Sequence, residues 1–309
     1  MAQSPAIESL RAGSLCSRAV DARMGSAQHE VKERATASEP YREFFRGCAL
    51  LATGKPGDAV AAFEKARDVA PTDGVVLLWL GRAYGSDAQR VFVARQAIVA
   101  RRARDAFDKA ISVAPDYLAA REARLQFALQ APGFLGGGVE RARREAMEIQ
   151  RRDEHRGRLA DLAMARHVGD RQRSVTLLSR IIADHPDSVS YALNLATEYG
   201  VLREWSHAWR TLDSAERRMP ESLRVRLAIG TLADDSRQQE LRGRAALQSY
   251  LSQLADSAPR LRAVALVRLG HLYERGNLTD SARQAYTAAV ALDPTMKEPL
   301  EGLRRVNRR

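Results

Sequence analysis

Leu266-x2-Leu269-Gly270-x2-Tyr273, followed nine residues after the tyrosine by Ala282-x3-Tyr286-x2-Ala289-x4-Pro294, is the stretch that decides the fold. It describes two helices that pack on each other. Gly270 lets the first helix approach the second closely. Ala282 and Ala289 leave room for a neighbouring helix, and Tyr286 fills the gap between them. Pro294 ends the second helix, because proline cannot continue the hydrogen-bond ladder and disfavours helix in the residue before it.

The same pattern recurs upstream. Leu195-Ala196-x2-Tyr199 leads to Ala208-x3-Leu212-x2-Ala215-x4-Pro220. Leu77-x2-Leu80-Gly81-x2-Tyr84 leads to Ala103-x3-Phe107-x2-Ala110-x4-Pro115, and Gly47-x2-Leu50 to Ala59-x3-Phe63-x2-Ala66-x4-Pro71. Weaker copies keep the spacing of the second helix: Ala142, Ala146, Ile149 and Glu154; Ser174, Leu178, Ile181 and Pro186; Ala246, Tyr250, Gln253 and Ala258. This pattern resembles the tetratricopeptide repeat, a unit of about 34 residues with the signature W-x2-L-G-x2-Y…A-x3-F…P.

The resemblance implies an all-α, right-handed superhelical solenoid of about seven repeats, at 38–71, 74–115, 118–154, 155–186, 189–220, 223–259 and 262–296. Residues 1–37 are expected to form N-terminal capping helices broken at Gly13 and Gly25, or a leader remnant. Residues 297–309 are expected to form a capping helix with a basic tail, covering the last repeat. No Val/Ile-rich alternation and no hairpin signal is present, so no sheet is expected.

Departures from the period carry information of their own. The standard gap from the tyrosine of helix A to the first small residue of helix B is nine, as from Tyr199 to Ala208. From Tyr84 to Ala103 it is nineteen, an insertion of ten. From Ala128 to Ala142 it is fourteen, with Pro132-Gly-Phe-Leu-Gly-Gly-Gly138 inside, and from Ala233 to Ala246 the repeat gains four. All three insertions fall in the turn between helices A and B and are expected at one edge of the array, where such insertions often form a binding face. Ten residues are about three helical turns, so helix B of the second repeat is expected to begin early without losing phase. Val91, Ala94 and Ile98 would then form an apolar stripe beside Arg101-Arg102. The first two inserts are expected to pack into a corner, with Arg90, Phe92, Arg95, Phe134 and Leu135 at its edge.

Gly81-Arg-Ala-Tyr84-Gly85, a long second helix, and Gln126-Phe-Ala-Leu-Gln-Ala-Pro-Gly-Phe-Leu-Gly-Gly137 together resemble a group of bacterial, often exported tetratricopeptide proteins with a QAPGxxGG segment. That resemblance covers about residues 40–155 and implies no enzyme activity.

The chain has 309 residues, 45% of them apolar and 28% charged, which excludes a disordered acidic protein, a collagen and a disulfide-dense mini-scaffold. Its 49 basic residues, only five of them lysines, face 38 acidic ones, for a net charge of +11. Clustered cations can bind phosphate by releasing counterions. Most of these arginines are interleaved with acids at helical spacing, as in Glu140-Arg141-Ala-Arg143-Arg144-Glu145, which describes a solvated helix face. The insert of the second repeat and the tail Arg304-Arg305-Val-Asn-Arg308-Arg309 are the uncompensated stretches. Nucleic acid is therefore the less favoured partner.

No stretch reaches the roughly 18 uninterrupted apolar residues of a membrane span. The start, Met1-Ala-Gln-Ser-Pro5, has neither a basic n-region nor an apolar h-region. It suits the mature form of an exported, periplasmic protein as well as a cytoplasmic one. Cys16 and Cys48 have no metal-ligand spacing and are either two buried thiols or, in an exported chain, a pair.

HExxH, GxSxG, a P-loop and a strand-borne GxGxxG are all missing. The six histidines share no metal-binding face, and Gly136–Gly138 reads as a turn rather than an anion site, so no catalytic residue, cofactor or metal is expected. The groove of such repeats is lined by helix A. Mapping its places gives Tyr41, Phe44 and Cys48; Leu78 and Arg82; Glu122 and Gln126; Asn194 and Thr197; Arg224; His271 and Glu274. Asn194 and Arg224 match two places of the family's carboxylate clamp, whereas Leu159, Ala163 and Ala228 occupy the other three. The function expected is a non-catalytic scaffold that holds a peptide or helix of a partner protein in its concave groove. The rival is an electrostatic binder of nucleic acid, an envelope surface or an acidic protein. Oligomeric state is left open.

Overall fold

The computed structural model describes residues 5–21, 24–36, 41–255 and 258–308. All regular structure among them is helical. The chain divides into two compact units, residues 1–168 and 169–309. The division falls inside the span 155–186, so the two helices of the fourth expected repeat belong to different units.

The first unit contains α1 (Pro5–Val20), α2 (Gly25–Thr36), α3 (Arg42–Ala52), α4 (Pro56–Val69), α5 (Gly74–Ala88), α6 (Val93–Val113), α7 (Leu118–Gln130), α8 (Val139–Arg152) and α9 (Glu154–His167). A single 3-10 turn, Gly133–Leu135, precedes α8. The pairs α3/α4, α5/α6 and α7/α8 pack as hairpins, and each helix B also packs on the helix A that follows. Asp73 caps α5, its Oδ1 accepting from the amides of Val75 (2.8 Å) and Val76 (3.2 Å). Asp153 does the same for α9 through the amide of Arg156 at 2.9 Å. Side-chain oxygens there satisfy amides that have no partner inside the helix.

The second unit contains α10 (Arg171–Asp184), α11 (Val189–Val201), α12 (Trp205–Arg218), α13 (Leu223–Ser236), α14 (Glu240–Gln253), α15 (Pro259–Arg275), α16 (Thr279–Leu292) and α17 (Lys297–Val306). α17 packs on α16 and α15, and Val306 and Leu303 cover Tyr286 and Ala282.

Hairpin closure depends on one repeated contact. A Cβ on Gly47 would come within 2.7 Å of the Phe63 ring, on Gly81 within 2.5 Å of Phe107, and on Gly270 within 2.4 Å of Tyr286. Gly230 stands in the same relation to Leu247, at 2.2 Å. That last contact corrects the phase of the sixth repeat. Gly243, packed against Ala233, occupies the place assigned to Ala246, so the repeat gains one residue rather than four.

Gly13 does not break its helix, because α1 runs straight through it. It sits where α1 crosses α5, and a Cβ there would be 2.7 Å from Val75 Cγ1. A disulfide between Cys16 and Cys48 ties α1 to α3, so the two cysteines are paired. The interior holds Phe44, Phe45, Phe63, Leu78, Trp79 and Leu80, all essentially without solvent contact.

Candidate functional site

The inserts of the second and third repeats build one feature together. α6 is 21 residues long against 14 for α4, so seven of the ten extra residues extend the helix at its start, and the other three lie in the end of α5 and the connection. The third repeat's insert folds as the 3-10 turn and three glycines. Gly136 and Gly138 have φ of +94° and +119°, a region that favours glycine. The turn packs on α6, and a Cβ on Gly136 would meet Arg104 Cδ at 2.6 Å. Arg124, buried on α7, holds the corner: its Nε donates to Asp108 of α6 at 2.7 Å and its Nη1 to the Gly136 carbonyl at 3.2 Å. Arg141 Nη1 donates to the carbonyls of Gly133 (3.1 Å) and Gly137 (2.8 Å). The amides of Gly136, Gly137 and Gly138 donate to Gly133, Pro132 and Ala128, so none is left for an anion.

Of the apolar stripe expected on the extended helix, Val91 packs against the core, but its other two members face the other way. Ala94 and Ile98 are exposed, and the face turned inward carries Gln96, Ala97 and Ala100. That face is one wall of a cavity of 1310 Å³. The remaining walls come from Trp79 and Arg82 of α5, from Glu122, Gln126, Phe127 and Gln130 of α7, and from Arg156 and Leu159 of α9. Pro132, Phe134 and Leu135 close the insert side, and Val20 and Asp21 at the end of α1 close another.

Aromatic and aliphatic side chains dominate the lining, and its charges are paired. Arg82 lies over the Trp79 ring at 4.5 Å and donates to Asp21 Oδ2 at 2.9 Å. Arg156 grips Glu122 with both arms of its guanidinium, at 2.6 and 2.7 Å. That hydrogen bonding holds the Arg156 pKa above the ordinary arginine value, against the opposing effect of burial. Gln96, Gln126 and Gln130 add amides that can meet a peptide backbone from either side as donor or acceptor.

Of the expected groove residues, Arg82, Glu122 and Gln126 converge on this cavity. Phe44 and Leu78 do not: Phe44 packs edge-on to Phe63, 5.5 Å between centroids, and Leu78 lies in the same core. Cys48 is taken up by the disulfide, and Tyr41 donates to Asp73 Oδ2 at 3.3 Å. Asn194, Thr197, Arg224, His271 and Glu274 belong to the second unit. Thr197 bonds the Leu193 carbonyl of its own helix, and Arg224 donates to Ser190 Oγ at 3.1 Å. His271 sits between Asp234 (3.1 Å) and Glu298 (3.6 Å), and Glu274 receives Tyr286 and Arg305. These last two therefore join helices rather than face an open groove, and Arg305 of the basic tail is compensated.

At the edge, Phe92 and Phe134 project into solvent, Leu135 is buried, and Arg90 donates to the Gly54 carbonyl. Trp79, Arg124 and Arg156 were not anticipated as site residues. An arginine placed among small and apolar positions, as in Arg121-Glu-Ala-Arg124-Leu, is the signal that marked the corner. Among the described residues, no group of three or more His, Cys, Asp or Glu could hold a metal.

Residues 263–296 match the tetratricopeptide repeat. That match covers α15 and α16, one helical pair of the array. The protein superimposes on a tetratricopeptide repeat protein from Parabacteroides merdae with a TM-score of 0.54 at 13% identity, covering 87% of this chain and 98% of the other. The C-terminal part of a tetratricopeptide repeat-containing protein from Cytophaga hutchinsonii gives 0.55 at 13% identity, over 86% and 99%. PilF of Pseudomonas aeruginosa gives 0.51 at 15% identity, over 79% and 99%. A comparison with curated proteins found no match. At these identities the likeness concerns the fold, an all-α tetratricopeptide array. No helix among the described residues is long and apolar enough to cross a membrane.

Proposed function

We propose that this tetratricopeptide chain is a non-catalytic scaffold that holds a peptide or a helix of a partner protein, and that the cavity of its first unit is the seat. The observation that supports this reading is the cavity itself, 1310 Å³ walled by three successive A helices and by a helix extension the standard repeat lacks. It exceeds the roughly 300–1,000 Å³ of small-molecule sites, and its apolar lining with a few placed polar groups suits a peptide's side chains and backbone. Affinity would come from apolar contact with Phe127, Leu159 and the Ala97 and Ala100 face of α6. Specificity would come from the glutamines and from Arg82 and Arg156.

The Cys16–Cys48 disulfide supports residence in an oxidising compartment, since such bonds persist in the periplasm and outside the cell. The test is selection from a phage-displayed peptide library, followed by measurement of the selected peptides on Ala100→Trp, which places an indole inside the cavity. Peptides should bind the natural chain and lose at least about tenfold on the variant, a loss of about 1.4 kcal/mol. Binding unchanged by Ala100→Trp, or catalytic turnover abolished by altering one cavity residue, would overturn the reading.

A further inference from the structure

The outer edge of the same corner has a different chemistry from the cavity. Phe92, at the cap of α6, is 88% exposed, Val93 80% and Ile98 55%. Phe134, at the tip of the neighbouring turn, is 72% exposed. A Cβ on Gly133, beside Phe134, would meet nothing within 4 Å. Between Gln89 and Arg104 there are four arginines and no acidic residue. Some exposed arginines elsewhere carry intrahelical partners, as in Arg143–Glu140, Arg151–Glu148 and Arg283–Asp280. Arg95 and Arg101 are exposed and have no acidic partner among the described residues.

We propose that this edge, Phe92, Ile98 and Phe134 with Arg90, Arg95 and Arg101, docks the chain on an anionic lipid surface. Exposed aromatic and branched side chains beside uncompensated cations are the two signals that peripheral membrane binding requires, apolar insertion and attraction to acidic headgroups. The shape selects among anionic partners. A folded acidic protein would have to offer matching hollows for two protruding rings. A fluid interface accepts protrusions of any form, and the arginine stems can lie along it with their guanidinium groups among the phosphates. The surface meets the cavity at Val93 and Phe134, which line it, whereas Phe92, Ile98 and the three arginines lie outside the lining.

The experiment is vesicle co-sedimentation of the full chain with phosphatidylcholine alone and with phosphatidylcholine and phosphatidylglycerol at about 3:1, at low and high salt. Binding is expected to the acidic vesicles only and to fall as salt rises. The pair Arg95→Gln with Arg101→Gln and the pair Phe92→Ser with Phe134→Ser should each weaken it at least about tenfold. All four positions are on the surface, and unchanged circular dichroism confirms folding. The control pair, Arg210→Gln with Arg217→Gln, removes the same charge from the second unit and should leave binding intact. The proposal is overturned by equal binding to neutral vesicles, by no binding to acidic ones, or by equal loss in the control pair, which would show a general effect of the +11 charge.

Discussion

Gly81 of α5 lies against the ring of Phe107 of α6, so close that a Cβ would come within 2.5 Å of Cε1. Sixteen residues separate the glycine from the ring in the first and last pairs, Gly47 to Phe63 and Gly270 to Tyr286. Here twenty-six separate them, and the contact is the same. The ten inserted residues therefore leave the packing of the hairpin in phase, and seven of them extend α6 beyond it, where it becomes a cavity wall.

Gly81→Val should destabilise the first unit by about 1–3 kcal/mol, because the ring behind it is buried and cannot retreat. Gly85→Ala, one turn away with open space around it, should instead be neutral or stabilise by up to about 1 kcal/mol through helix propensity. Urea unfolding of the two variants distinguishes these outcomes. Equal effects would mean that the close contact does not hold the pair together.

Removing the Cys16–Cys48 disulfide, which closes a loop of 32 residues, should cost about 3–4 kcal/mol through the greater freedom of the unfolded chain. Cys16→Ser with Cys48→Ser, or full reduction verified by thiol titration, should lower the melting temperature of the first unit's transition. An unchanged transition with both thiols free would contradict this.

Much of the array was legible because packing dictates residue size. Where glycine faces an aromatic ring, spacing and size both repeat, and the α6 extension followed from arithmetic. The sixth repeat misled because Leu247 replaces the ring opposite Gly230, and Gly243 replaces the alanine. Spacing alone then favoured Tyr250, one turn late. The groove assignment failed at Phe44 because that ring turns toward Phe63 of α4. It failed at Leu78 because α5 is covered on several sides, by α4, α6 and, across Gly13, by α1. No periodic pattern in residues 1–37 announces which helix they will cross. The cavity was only half visible, since its polar members pair across helices, Arg82 with Asp21 and Arg156 with Glu122, at sequence separations of 61 and 34.

Arg124 joins α7 to Asp108 of α6 and to the Gly136 carbonyl while almost wholly buried. Arg124→Leu would leave that carbonyl without its side-chain donor and should cost about 2–4 kcal/mol. The glycine turn should then lose protection from proteolysis before the rest of the unit. A stability change within about 0.5 kcal/mol, the range of an ordinary surface substitution, would show that the corner holds without it.

Asp234 of α13 is nearly buried. Burial opposes its charge, but hydrogen bonds and charge from His271, Arg275 and Arg268 outweigh it, so its pKa lies below the ordinary carboxylate value. A depressed folded-state pKa adds stability that is present above the unfolded value, about 3.9, and disappears as pH falls through the folded value. Asp234→Asn should therefore cost about 3 kcal/mol at neutral pH, where three cationic or polar partners lose their anion. The difference from the natural chain should shrink as pH drops below about 4. A difference independent of pH would mean that shape, not charge, is what Asp234 contributes.

Hydrogen exchange with and without a peptide selected from the display library shows whether a partner's peptide seats in the cavity of the first unit. Added protection is predicted in the first turns of α6, in α7 and in the 131–138 turn, with residues 169–309 unchanged. Protection confined to α11, α13 or α15, with the α6 extension and α7 exchanging as before, would contradict the account.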